Sequence, residues 1–157
     1  MLQIGEIAPQ NVSVQNEVGE SVTLSNFLGK YVVLFFYPKD MTPGCTTEAC
    51  NFRDATHDLQ KLGAVVLGVS KDTVASHGKF IKKHDLNYPL LADTEHTLME
   101  AFGVWGKRSF MGKTYMGTSR STFLIDPKGK IVHVWEKANP KEHAGEVLEV
   151  LKNLQQT

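Results

Sequence analysis

Two thiols in one short stretch carry the first chemical signal in this chain. Cys45 and Cys50 are its only cysteines, and they fall in Pro38-Lys-Asp-Met-Thr42-Pro-Gly-Cys45-Thr-Thr-Glu48-Ala-Cys50, directly after the apolar run Tyr31-Val-Val-Leu-Phe-Phe-Tyr37. This layout predicts a buried strand that stops just before a helix, with Cys45 in the first turn of that helix. A helix N-terminus carries unpaired N–H groups and partial positive charge, and both favour thiolate over thiol. Cys50 lies close in sequence but on another side of the same helix. The pair reads as a redox site rather than a structural cross-link.

The elements that must position these thiols follow from local pattern. Thr42 before Pro43 suits an N-cap with proline at the first helical position. Ala49, Phe52, Ala55, Thr56 and Leu59 then keep an approximate helical spacing, predicting a helix over residues 43–61. Residues 64–69 form a second continuous apolar run, as in strands covered on both faces. Ahead of these, residues 12–14 and 21–24 flank Asn16 to Gly19 and predict an N-terminal hairpin, followed by one helical turn at residues 25–29. Asp72 is expected to cap a helix over residues 73–84 that buries Val74, Phe80 and Ile81. A short strand at residues 90–92 and a helix at residues 97–102 come next.

Residues 103–117 hold four glycines with Lys107, Arg108 and Lys113, and read as an irregular loop; its Trp105, Phe110, Tyr115 and Met116 fit ordinary packing better than the alternative, apolar contact to an alkyl hydroperoxide or a partner face. Residues 121–125 and 131–135, joined by Asp126-Pro-Lys-Gly129, give a strong hairpin signal. Asn139-Pro-Lys-Glu142 has the pattern of a capping box opening a last helix, with Ala144, Val147, Leu148, Leu151 and Leu154 on one face. The order suggests an α/β fold of the thioredoxin-like kind: a central mixed sheet sandwiched by helices, with an N-terminal hairpin.

Composition narrows the function classes. At 157 residues the chain reads as one domain, residues 1–157, able to bury roughly two thirds of its unfolded surface. Seventeen basic residues balance seventeen acidic ones, so no global basic field recruits nucleic acid or an acidic membrane. The first six residues show neither a basic region nor a long apolar run, so no signal peptide is visible, and the run at residues 32–36 is too short to span a bilayer. Two cysteines do not make a secreted disulfide scaffold, and a reducing cytoplasm is expected. The six histidines are scattered, His77 and His84 being seven apart, with no H-E-x-x-H pattern. Neither a metal nor an organic cofactor is expected, since no dinucleotide, phosphate-loop, haem or flavin signature occurs.

Pro38-x-x-x-Thr42-x-x-Cys45, with Cys50 five residues on, resembles the active site of the peroxiredoxins, and within them the Q type, also called bacterioferritin comigratory proteins. Gly68-Val-Ser-Lys-Asp72, Lys113-Thr-Tyr-Met-Gly117 and Arg120-Ser-Thr-Phe-Leu-Ile-Asp126 are also similar to that family, so the resemblance spans nearly the whole chain. It implies a thiol-dependent peroxidase in which Cys45 attacks the peroxide and Cys50 resolves the product. Thr42 would hydrogen-bond thiolate and peroxide through its hydroxyl, Pro38 would shield the pocket from water, and Arg120 would bring a guanidinium to the sulfur. Backbone N–H groups of Gly44 and Cys45 would join them. The implied partners are a hydroperoxide substrate and thioredoxin, sometimes glutaredoxin, as reductant. Only the resemblance puts Arg120 in the site, because an arginine opening a strand is otherwise a solvated surface residue. Glu48 either hydrogen-bonds near the site or merely complements the helix dipole; the sequence leaves both open.

The chemistry asks for these groups. An ordinary thiol is about 3% ionised at pH 7 and one titrating near 6 about 90%, a gain of roughly thirtyfold, or about 2 kcal/mol. Fast peroxide reduction needs more, from orientation and from charge stabilisation on the separating oxygens. Attack leaves a sulfenic acid that a second thiol can condense with. Five residues of α-helix separate two Cα atoms by roughly 8–9 Å and turn the side chains ~140° apart, whereas a disulfide wants about 4.4–6.8 Å. The helix must therefore unwind locally. A resolving thiol in the same chain removes any mechanistic need for a dimer, so a monomer is expected. Two rivals fit less well: a general dithiol oxidoreductase, for which C-x-x-C is the expected spacing, and a non-enzymatic binding module on the same fold.

Overall fold

β-Branched and aromatic residues dominate Tyr31–Phe36, and in the computed structural model, which describes residues 1–156, this run is the strand β3 near the middle of a seven-stranded sheet. Two short strands precede it, β1 (Val14–Gln15) and β2 (Ser21–Val22), joined by a turn in which the Asn16 carboxamide oxygen accepts from the N–H groups of Val18 and Glu20. After β3 come α1 (Pro43–Lys61), β4 (Ala64–Ser70), α2 (Val74–His84), β5 (Leu90–Ala92) and α3 (Thr97–Phe102). The chain continues with β6 (Trp105–Phe110), β7 (Lys113–Thr118), β8 (Thr122–Ile125), β9 (Ile131–Trp135) and α4 (His143–Gln155). The sheet order is β2-β1-β5-β4-β3-β8-β9. β3, β4 and β5 run parallel, while β8 pairs antiparallel with both β3 and β9. The expected mixed sheet with an N-terminal hairpin is present.

Side chains alternate across a strand, and β3 divides the core accordingly. Val33, Phe35 and Tyr37 pack with Phe52 of α1, Phe80 of α2 and Val147 and Leu151 of α4. Val32, Leu34 and Phe36 pack on the other face with Leu98, Met99 and Phe102 of α3. The helix carrying both cysteines is thus fixed by Phe52 against Phe35, whose rings stack at 4.7 Å.

Three local expectations are corrected. The cap of α2 is Thr73, whose hydroxyl accepts from the Ser76 N–H at 3.1 Å, because the Asp72 carboxylate is drawn to other donors. The last helix opens at His143 without a side-chain cap bond; Asn139 instead forms a separate turn, its side chain accepting from Lys141 N–H. Residues 103–117 are no irregular loop. They hold most of a two-stranded ribbon, β6 with β7, turning at Met111 and Gly112, both at positive φ. Phe110, Tyr115 and Met116 lie exposed on it rather than packed, with Phe110 67% exposed. Trp105 alone keeps a packing role, stacked on His96 at 3.7 Å.

Gly68, mid-β4, shows how tightly the site-bearing face is built. A Cβ there would meet Leu90 Cδ2 at 2.7 Å and Phe35 Cζ at 2.9 Å. Gly68→Ala is expected to destabilise the fold by about 1–3 kcal/mol through overpacking, read as a lower urea midpoint at unchanged slope.

Candidate active site

A strand that ends at Phe36 and a helix that starts at Pro43 leave six residues to make the turn, and buried polar contacts fix them. Asp40 is nearly inaccessible; its carboxylate accepts from the Tyr37 hydroxyl at 2.6 Å and the Ser76 hydroxyl at 2.8 Å, and faces His77 Nδ1 at 2.8 Å. His77 Nε2 lies 3.0 Å from the Leu91 carbonyl, which can only accept, so that nitrogen carries a proton. The Asp40 N–H donates to Asp72 Oδ2 at 2.8 Å. Burial first, then the neighbouring Asp40, push the Tyr37 phenol well above its ordinary pKa and keep it a donor. Asp40, Asp72 and His77 bring ligand-type atoms within 4.8 Å of one another, but those atoms are engaged in this hydrogen-bonded anchor. Beyond Asp40 the backbone passes through positive φ at Met41 (66°) and returns to extended geometry at Thr42, as a residue before proline prefers.

Cys45 is the third residue of α1 and is buried. Its sulfur accepts from Arg120 Nη2 at 3.2 Å, and Arg120 Nη1 donates to Glu48 Oε1 at 3.1 Å. Thr42 gives α1 no side-chain cap, and the first backbone bond of the helix runs from Thr46 N–H to Thr42 O at 2.8 Å. The Gly44 and Cys45 N–H groups therefore point out of the helix end with no intrahelical acceptor. Arg120 packs over Gly44, where a methyl group would sit at ordinary contact distance, 3.4 Å from Nη2.

Arg120 arrives from the strand next to β3. Antiparallel pairing of β3 with β8, continued by Phe36 N–H to Ser121 O at 2.8 Å, sets Ser121 and the preceding Arg120 beside the end of β3. The Arg120 carbonyl is held by Ala138 N–H at 2.9 Å. Burial works against its charge, but the Cys45 sulfur and Glu48 outweigh it, and its pKa is raised. Arg120 is thus no solvated strand opener. Glu48 sits in the second turn of α1, 1% exposed, and among the described residues its Oε2 has no hydrogen-bond partner. Burial raises its pKa to about 7 although the Arg120 charge pulls the other way.

The remaining expected site residues are placed less directly. Pro38 is half-buried and lines a cleft of about 210 Å³ with Lys39, Arg108, Tyr115 and Met116. The Thr42 hydroxyl donates to the Lys39 carbonyl at 2.9 Å and, among the described residues, makes no hydrogen bond to Cys45. On the Gly44 side an open groove of about 290 Å³ is lined by Pro43, Thr47, Asn139 and Pro140. Cys50 is half-buried and Cys45 buried; the two are not joined to one another, and α1 runs unbroken between them. Sequence reasoning missed the Asp40–His77 anchor, because it joins residues 37 apart in sequence and no local pattern announces it.

A thiol at an open helix N-terminus, touched by a fixed guanidinium, is equipped for nucleophilic attack on a polarisable bond. Comparison with known proteins agrees. The AhpC/TSA family matches residues 4–134. The chain belongs to that family. Peroxiredoxin Bcp of Bacillus subtilis (strain 168) is 51% identical over 153 residues, 98% of this chain and 97% of the relative. Peroxiredoxin Bcp of Escherichia coli (strain K12) is 48% identical over 151 residues, 96% of each. Among solved structures, Xanthomonas campestris peroxiredoxin Q aligns with a TM-score of 0.89 at 39% identity, covering 94% of this chain and 95% of that one. A cysteine-to-serine variant of Xylella fastidiosa PrxQ aligns with a TM-score of 0.94 at 35% identity, covering 99% and 98%. This peroxiredoxin thus shares fold and family with the Bcp and Q-type proteins along nearly its whole length.

The buried Glu48 has a measurable signature. Unfolded, its carboxyl releases a proton near 4.5; folded, it holds that proton to about 7. Between those values unfolding releases a proton, so stability falls as pH rises. Relative to Glu48→Gln, the wild type is expected to lose up to about 3 kcal/mol between about pH 4.5 and 7. Urea denaturation of both proteins across that range checks it; a flat difference would contradict the burial argument.

Proposed function

We propose that residues 1–157 form a single catalytic domain, a monomer that reduces hydrogen peroxide and organic hydroperoxides and is itself re-reduced by thioredoxin or glutaredoxin in the cytoplasm. The observation that carries the reading is the Arg120 guanidinium 3.2 Å from the buried Cys45 sulfur, at a helix end whose first N–H groups are open. The Cys45 thiolate attacks one peroxide oxygen, an S–O bond forms as the O–O bond breaks, and the second oxygen departs as alkoxide or hydroxide. Arg120 and the Gly44 and Cys45 N–H groups offset charge on the separating oxygens. Arg suits the role because its charge is permanent and its donors are fixed. With its proton given to Lys39 O, the Thr42 hydroxyl oxygen is left to accept from the peroxide O–H. Pro38 keeps bulk water off the reacting sulfur, and the groove beside Gly44 accommodates the carbon chain of an organic hydroperoxide.

Cys50 then attacks the Cys45 sulfenic acid. Both thiols lie in one uninterrupted helix, so the turns between them open before the bond closes. Gly44, Thr46 and Thr47, modest helix formers, lower that cost. Because the oxidised pair lies within a single chain, no second copy is required, and a disulfide that must be reduced every cycle suits a compartment rich in dithiol reductants.

Intact mass after one equivalent of hydrogen peroxide tests this directly. The wild type is expected to lose two hydrogens, Cys45→Ser to stay unchanged, and Cys50→Ser to gain oxygen without forming an internal disulfide. An unmodified wild type would overturn the peroxidase reading, and full turnover with thioredoxin by Cys50→Ser would remove Cys50 from the resolving role.

A further inference from the structure

The surroundings of Cys50 hold a cation that the attacking site does not use. Arg53, one turn further along α1, places Nη1 3.7 Å from Cys50 Sγ, and the same nitrogen donates to the His84 carbonyl at 2.7 Å. Its Nε donates to Asp54 at 3.0 Å. The backbone is pinned as well: Asn87 Nδ2 donates to the Arg53 carbonyl at 3.2 Å, and Asn87 Oδ1 accepts from the Thr56 hydroxyl at 2.9 Å. The end of α2 and the segment before β5 therefore grip α1 from Arg53 onward. One turn earlier the grip changes character, with the buried Tyr88 hydroxyl donating to the Ala49 carbonyl at 2.7 Å. The charged and titratable groups around this thiol are Arg53 and Asp54 on its own helix, Asp85 at the end of α2 and Tyr88 ahead of β5. The Asp54 hydrogen bond foremost, with negative charge at Cys50 and Asp85, keeps Arg53 protonated.

We propose that Arg53 is a catalytic residue of the second half-reaction: its guanidinium stabilises the Cys50 thiolate for attack on the Cys45 sulfenic acid, and its anchorage to His84 marks where unwinding of α1 stops. This rests on Cys50 being the resolving thiol. In the step, the Cys50 thiolate attacks Cys45 Sγ; the S–S bond forms as the S–O bond breaks, and hydroxide leaves with the electron pair and takes a proton from solvent to become water. The turns from Cys45 to Cys50 open for this, and a cation carried by those turns would be lost with them. Arg53 lies just past them and is tied to a different element, so the charge keeps its place beside Cys50, which sits at the limit of the opened segment. Arg120 cannot serve both sulfurs, since its two terminal nitrogens are committed to Cys45 and Glu48.

A cation beside a thiol raises the thiolate fraction but lowers the intrinsic reactivity of each thiolate. At neutral pH, where an ordinary thiol is mostly un-ionised, the first effect outweighs the second. With Cys50 isolated by Cys45→Ser, the added change Arg53→Gln is expected to slow iodoacetamide alkylation of Cys50 severalfold at neutral pH. Near pH 10, where nearly all thiols are ionised, the order reverses and the Gln protein reacts faster. Arg53→Lys, which keeps the cation, stays close to the arginine protein. In the protein with both cysteines, Arg53→Gln leaves formation of the sulfenic acid unchanged after one equivalent of hydrogen peroxide and slows disulfide closure by the same factor. A merely structural arginine would give no crossover with pH, and equal alkylation and closure rates in Arg53→Gln would overturn the proposal while leaving Cys50 as resolving thiol. A wild type that gains oxygen and never loses two hydrogens would instead remove the resolving role of Cys50, and the proposal with it.

Discussion

Arg120 bridging a sulfur and a buried carboxylate is the interaction around which this site is arranged. A guanidinium brought in from solvent needs partners on more than one side, and Glu48, buried with one oxygen unpartnered, is tolerable only beside a fixed cation. Both partners of Arg120 lie on the first two turns of α1, three residues apart on one face. The antiparallel register of β3 and β8 then has a function beyond sheet closure, because it carries the arginine to the end of the strand that leads into the helix. Helix, strand register and charge pair are one constraint seen from three sides.

The same helix sets a conflict. Its N-terminus and its packing through Phe52 create the reactive environment of Cys45, yet its regular geometry keeps Cys50 out of reach. Between the sulfurs, Cys45, Glu48 and Ala49 are buried while Thr46 is half-buried and Thr47 exposed. Opening these turns therefore costs buried contacts, and the two threonines, modest helix formers, lower only the local helical part of that cost. The buried Asp40–His77 pair complements this on the other side of Cys45, holding the preceding turn while the following one opens.

How much of this the sequence displayed depends on the range of each interaction. β3, α1, β5 and α3 were readable to the residue because continuous apolar runs, proline and spacing are local signals. The ribbon of β6 and β7 was not, because its exposed faces lack an apolar alternation; only Met111-Gly112, the turn pair at positive φ, hinted at it. Of the site, the thiols and the helix end followed from chemistry and spacing. Arg120 came solely from resemblance, since its approach depends on strand register. Arg53 and the Asp40–His77 pair depend on contacts with α2 and the segment before β5, and one-dimensional patterns do not encode which helix turn meets which loop.

On the proposed mechanism, the arrangement that holds Cys45 beside Arg120 comes apart for Cys50 to reach it. Amide hydrogen exchange across residues 43–56, compared between reduced protein and protein oxidised with one equivalent of peroxide, tests it most directly. The account predicts markedly faster exchange for residues 46–51 after oxidation and retained protection from Arg53 onward. Unchanged protection through residues 46–51 in the disulfide form would contradict it.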